Sequence, residues 1–182
     1  WIGIDITHLA INLIKLRLNG LFDLVPKENY DVIGEPTDLP GAQELASQDP
    51  YQFQWWALSL INARPYKDKK KGADTGIDGL IYFSDEQNKI KKIIVSVKSG
   101  NVTPKDIREL HSVIEREKSE IGIFLTMKNP TISMKKEAYD RGFYYSEHHH
   151  KKFPKIQIYT IEQLFSGIKP DIPHVIHPKI NE

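Results

Sequence analysis

The amino-acid sequence predicts an α/β fold, a mixed sheet flanked by helices, and three observations carry that prediction. From residue 42 onward, apolar spacings of helix and strand type follow one another in the order helix, strand, strand, helix, strand, helix, strand, helix. Residues 121–127 are apolar apart from Thr126 but only as long as a strand, the pattern of a strand covered on both faces at the centre of its sheet. Residues 80–83 and 92–98 are strand-like and joined by the polar stretch 84–91, which makes them an antiparallel hairpin.

Each element has a local reason. Residues 1–6 are a short apolar run, expected to be a strand with sheet neighbours outside this stretch and therefore part of a longer protein; it leads into a helix over 10–18 capped by Thr7. Residues 19–41 change to Gly, Pro, Asp and Asn, with one short extended piece at 30–34 and the breakers Pro36 and Pro40, and are expected to contain a linker over 33–41. A short helix is expected over 43–48. A second over 51–63 is set up by Asp49 as cap and Pro50 in its first turn. Phe53, Trp56, Ala57, Leu60 and Ile61 form one stripe on it, so Trp55 and Trp56 are assigned to core packing rather than to base stacking. Residues 64–71 are a basic loop, and 72–79 a glycine-punctuated turn entering the first hairpin strand. Thr103 and Pro104, with Asp106 three residues after the cap, start a helix running to about residue 118. A helix over 131–141 closes at Gly142. Residues 155–159 are a last strand, 161–165 a short helix, and 171–182 a tail. These boundaries divide the chain into 1–32, the linker 33–41, a main domain 42–170, and the tail.

Composition narrows the function classes. The chain has 182 residues, 40% hydrophobic and 27% charged, with a mean hydropathy of -0.44, and no apolar run approaches the ~20 residues of a membrane helix. A cytoplasmic protein with no membrane partner is expected. The absence of cysteine excludes disulfides, thiolate nucleophiles and cysteine-ligated metals, leaving oxygen and histidine as metal donors. The formal charge of +1 conceals an asymmetry: residues 1–60 hold three Lys or Arg against eight Asp or Glu, whereas residues 61–182 hold 22 against 16. A polyanionic partner for the second part is compatible with this surplus, as is a plain solvated basic face. Lys67, Lys69, Lys70, Lys71, Lys151 and Lys152 either line a DNA backbone or occupy solvated loops. His148, His149 and His150 lack the i, i+4 spacing of a helical metal pair, and no physiological zinc site is expected there.

Strand alternation puts Ser96 and Lys98 on one face. If the two hairpin strands pair, Asp78, where one begins, meets Lys98, where the other ends. An aspartate holding a divalent cation, beside a lysine that stabilises charge near an attacking hydroxide, suits phosphodiester hydrolysis. Ordinary turn chemistry at Asp78-Gly79 is the alternative.

The order Gly72-x-Asp74-x-Gly76-x-Asp78-Gly79, strand, then Val95-Ser96-Val97-Lys98-Ser99-Gly100, then helix, apolar strand and a second helix before Gly142-Phe143, resembles the Mrr-like branch of the PD-(D/E)xK nuclease superfamily over residues 42–167. The resemblance implies a restriction-endonuclease-like fold and a Mg2+- or Mn2+-dependent endonuclease acting on double-stranded DNA, with a homodimer as one assembly. It implies Asp78 as metal ligand and Lys98 as the catalytic lysine, with Ser96 where a Glu, Asp or Gln is usual. A serine hydroxyl is a weaker, neutral ligand. The missing oxygen would come from Asp74, the Val97 carbonyl, or Gln54 or Glu44 on the upstream helices. The departure at Ser96 opens the alternative of an inactive nuclease-fold module that binds DNA and directs an attached methyltransferase.

Residues 1–6, followed by Leu9-Ala10-Ile11, are similar to a Rossmann-like strand-helix remnant of an N4/N6-type DNA methyltransferase, with Asp5 matching the acidic residue that receives the ribose of S-adenosylmethionine. The Gly-rich cofactor loop and the Asp/Asn-Pro-Pro-aromatic motif are absent from this stretch, so methylation is expected only of a longer parent. Together the two resemblances suggest the C-terminal part of a DNA methylase of restriction-modification type, with an N-terminal methyltransferase domain as partner.

Overall fold

The computed structural model describes residues 2–66, 75–86 and 89–174. Helices α1 (His8–Phe22), α2 (Leu39–Gln48) and α3 (Pro50–Ser59) come first, then strands β1 (Arg64–Pro65), β2 (Gly79–Glu86) and β3 (Lys89–Lys98). Helix α4 (Pro104–Glu117), strand β4 (Ile121–Thr126) and helix α5 (Ile132–Tyr139) follow. Strands β5 (Phe143–Ser146), β6 (Lys151–Pro154) and β7 (Ile156–Thr160) and helix α6 (Ile161–Phe165) complete the described chain.

The main sheet has the order β1-β2-β3-β4-β7. The β1/β2 and β2/β3 pairs are antiparallel, and β3/β4 and β4/β7 are parallel, so the sheet is mixed as expected. Its middle strand is β3, a correction to the placing of 121–127 at the centre. Strand β4 is nonetheless buried at all six positions, because parallel neighbours flank it and helices cover both its faces.

One face carries Ile81, Phe83, Ile93, Val95 and Val97 packed with Phe53, Trp56 and Leu58 of α3. On the other, Ile94, Phe124 and Ile156 meet Ile107, Leu110, Val113 and Ile114 of α4 and Met134 and Ala138 of α5. Trp56 is 1% exposed between Phe53 and Phe165, which bears out its assignment to the core. The caps act as expected. Asp49 accepts from Tyr51 N–H at 2.9 Å, and Asp106 accepts from Thr103 N–H at 2.7 Å.

Several boundaries differ from the expectation, for tertiary reasons. Residues 2–6, expected as a strand with its neighbours outside this stretch, pair with no strand among the described residues, which leaves that expectation untested, and Ile2, Ile4 and Ile6 are exposed. Helix α2 starts inside the expected linker because Asp38 caps it, accepting from Gly41 N–H at 2.8 Å, with Pro40 in its first turn. Helix α3 ends at Ser59, and Asn62 turns the chain with φ +54°. Arg64 and Pro65, expected in a loop, pair with Leu80 and Gly79 as an edge strand, where proline's missing N–H costs no ladder bond. The hairpin β5–β6 was not expected at all. Helix α1 packs on α3 and β1: buried Asn12 donates to the Trp55 and Ala63 carbonyls, both at 3.2 Å, and Lys15 bonds Glu35 and Ser59 at 2.8 and 3.2 Å.

Gly122 shows how closely α4 approaches β4, since a Cβ there would stand 2.4 Å from Ile114 Cδ1. Gly122→Ala is expected to destabilise the protein by about 2 kcal/mol through overpacking, read as a lower urea midpoint with an unchanged slope.

Candidate functional site

Asp78 sits where β2 begins. Gly76, at φ +70°, turns the chain so that Ile77 is buried while Asp78 approaches the end of β3. The turn is tied to α4 by Arg116, whose guanidinium donates to the Thr75 carbonyl at 2.6 Å. Asp78 N–H donates to the Val95 carbonyl at 2.9 Å, and Tyr66 N–H to the Asp78 carbonyl at 3.0 Å. Beyond that rung β2 offers no further main-chain acceptor to β3, and the side chain takes over: Asp78 Oδ2 accepts from Val97 N–H at 2.7 Å. Oδ1 accepts from the Gln54 amide, which reaches it from α3 and is 8% exposed. The carboxylate thus extends the ladder by one rung, satisfying an amide that would otherwise lose its partner.

The structure therefore brings together Asp78, Gln54 and the backbone of Val97. Gln54 is the upstream-helix residue that reaches the site. Glu44 is exposed on α2 and accepts from Gln48 of its own helix at 2.9 Å. Lys98 is exposed and makes no ion pair with Asp78 among the described residues. Alternation explains the separation. Val95 and Val97 point to the α3 side, so Ser96 and Lys98 share the face of Ile94, under α4 and α5, whereas Gln54 holds Asp78 from α3. Ser96 is 7% exposed, and its hydroxyl bonds no other described residue. Asp74, Lys67, Lys69, Lys70 and Lys71 lie outside the described residues. Lys151 is paired with Asp171 at 2.6 Å, and Lys152 is exposed.

Among the described residues the oxygen donors for a divalent cation are few. Magnesium asks for near-octahedral oxygen ligands, at least one of them an available carboxylate. The described site supplies one carboxylate with an N–H donor on each oxygen, a neutral hydroxyl at 96, and a lysine on the other face. No group of three His, Asp or Glu side chains suited to a metal occurs among the described residues.

Asp5 stands elsewhere. It lines a cavity of about 760 Å³ with Ile4, Ile11, Leu18 and Tyr30, and its carboxylate accepts from the Thr7 N–H and hydroxyl, both at 2.8 Å, which holds it below the usual carboxylate range.

A second carboxylate escaped the sequence reading. Asp85, near the end of β2, is 3% exposed and accepts from the Tyr144 and Ser146 hydroxyls and, at 3.2 Å, from His148 N–H, with the Lys91 ammonium 3.5 Å away. Burial pushes its carboxyl up, but the bonds from Ser146, Tyr144 and His148 and the charge of Lys91 outweigh that, leaving it below its ordinary value. Tyr144 is driven the other way, to about 12, by burial and by its bond to Asp85. The available signal was the alternation of Tyr144, Ser146 and Phe153 with solvent-facing neighbours, which a histidine-rich turn interrupts.

A mixed sheet with α3 on one face and α4 and α5 on the other, and with Asp78 at the mouth of the β2–β3 hairpin, defines a restriction-endonuclease-like domain. The family model described as "NACHT-associated inactive Restriction Endonuclease 1" matches residues 51–166, more than half of the chain, and the chain belongs to that family. A comparison with curated proteins finds no match. No helix among the described residues is long and apolar enough to cross a membrane.

Removing the Asp85 carboxylate leaves two hydroxyls and an N–H without their acceptor. Asp85→Ala is expected to cost about 3 kcal/mol in urea unfolding. Because the folded-state pKa lies below the unfolded value of about 3.9, the stabilisation is complete above that value and is lost as pH falls through the folded one. Acid unfolding of the wild type should steepen below about pH 4, and Asp85→Asn should lack that component.

Proposed function

We propose that this chain is a non-catalytic nuclease-fold module that binds double-stranded DNA without cutting it. The observation that carries the proposal is the engagement of Asp78: one carboxylate oxygen accepts from Val97 N–H of β3 and the other from Gln54 of α3, and Ser96 offers no second carboxylate. The family's description as inactive supports the same conclusion, and its association with NACHT proteins fits a recognition part serving an attached partner. Exposed Lys98, at the carboxyl end of β3, is available to a phosphate backbone rather than to a metal-bound water.

The Mrr-like nuclease, its magnesium or manganese, and the methyltransferase with its S-adenosylmethionine find less support. Residues 2–6 pair with no strand among the described residues, and Asp5 caps its own turn. The module needs neither activity in order to bind DNA.

Incubation of the protein with duplex DNA and magnesium or manganese is expected to give no cleavage. Fluorescence anisotropy should report duplex binding that weakens linearly in log–log form with salt, the slope counting the phosphates neutralised at about 0.9 each. Wild-type cleavage that Asp78→Ala and Lys98→Ala abolish would overturn the proposal in favour of a nuclease. Absence of duplex binding at low salt would remove DNA as the partner.

A further inference from the structure

We infer that the outward face of the β5–β6 hairpin, together with Tyr139 of α5, is a stacking platform for the bases of a single-stranded nucleic acid. The hairpin has two chemically distinct faces. Its inner face is fully used: Tyr144 packs edge-on against Phe83 at 5.8 Å, Phe153 is 2% exposed in the core, and Ser146 is bound to Asp85. Alternation then forces the neighbours outward, and they are aromatic. Phe143 is 51% exposed, Tyr145 46% and Tyr139 72%.

Burying an aromatic ring is favourable relative to leaving it in water, so each exposed ring forgoes that gain. Here half of the ribbon's rings are left in water while a rigid anchor fixes their direction. Tyr139 meets Phe143 edge-to-face at 6.1 Å, so the two rings brace each other. Lys152 is the cross-strand partner of Tyr145, and Lys135 and Lys136 precede Tyr139 by one helical turn. All three lysines are exposed and, among the described residues, paired with no carboxylate, unlike Lys91, Lys151 and Lys155 nearby. Asp140 and Glu147 flank the patch and limit its net charge, so ring stacking rather than phosphate attraction dominates recognition.

The geometry selects unpaired bases. Side chains two apart on a strand stand about 7 Å apart, whereas bases within a duplex strand follow one another at about 3.4 Å and hide their faces against each other. Only a strand with separated bases offers a face to Phe143 and another to Tyr145. Exposed aromatics beside unpaired lysines are the combination that single-strand binders use.

The inference rests on the module being a nucleic-acid binder, and it adds a surface distinct from Asp78 and Lys98. The test uses the full chain with a fluorescein-labelled thymidine single strand of about 16 nucleotides, the upper end of single-strand site sizes, and a duplex of equal length. The single strand is expected to bind. Phe143→Ala and Tyr145→Ala should each weaken it about tenfold, while Phe143→Trp retains affinity and duplex binding stays unchanged. Lys152→Ala should lower the salt slope by about 0.7, one phosphate. Single-strand affinity unmoved by both alanine substitutions overturns the platform, as does an equal loss for duplex. A dimer in light scattering that the alanine substitutions dissolve also overturns it, by assigning the face to a second copy. Duplex binding without single-strand binding ends the platform but not the proposed function. Single-strand binding without duplex binding does the reverse.

Discussion

The bond from Val97 N–H to the Asp78 carboxylate fixes the geometry of the candidate site. It lies at the end of the sheet where β2 begins and β3 finishes. A carboxylate there has two uses. It can present its lone pairs to a cation, or it can close the ladder where the main chain runs out. Asp78 closes the ladder, and Gln54 secures its other oxygen from α3. Under the proposed non-catalytic role, serine at 96 and a solvent-facing Lys98 follow without conflict, because that role asks for neither a second carboxylate nor a metal-bound water.

The other end of the β2–β3 hairpin is organised by a buried carboxylate with a different task. Asp85 gathers hydroxyls, an amide and an ammonium, and so fastens the β5–β6 hairpin across the core. Burying an ion is costly unless every lone pair finds a donor. Here donors from both hairpins meet that requirement, which makes the docking directional as well as stable. The orientation of Phe143 and Tyr145 is a consequence: with Tyr144, Ser146 and Phe153 anchored inside, their neighbours have only the solvent side.

Much of this was legible in the sequence, and the exceptions have a common cause. The alternation of apolar spacings predicted the mixed sheet, and the continuous run through Phe124 predicted a strand buried on both faces. Thr7, Asp49 and the Thr103–Asp106 pair marked helix starts because a cap is a local hydrogen bond between residues at most three apart. Asp78 and Lys98 were correctly placed at one end of a hairpin, but the side of the sheet each uses was not legible, since Asp78 is set by the bend at Gly76 and by a glutamine 24 positions earlier. The β5–β6 strands were too short to show a period, and the inward half of their pattern makes sense only against Phe83 and Asp85, some 60 residues away.

By itself the sequence determined the class of fold, the order of the main helices and strands, the absence of cysteine chemistry, and the departure at Ser96 from the nuclease pattern, because these depend on residue type and on near neighbours along the chain. Tertiary structure alone decided that Asp78 bonds the β3 backbone, that Gln54 and not Glu44 reaches it, that Lys98 lies on the other face of β3, and that aromatic rings point outward on the second hairpin. Each of those outcomes turns on which distant donor arrives first at a lone pair or which face of a strand a helix covers, and such competition exists only once the chain has closed on itself.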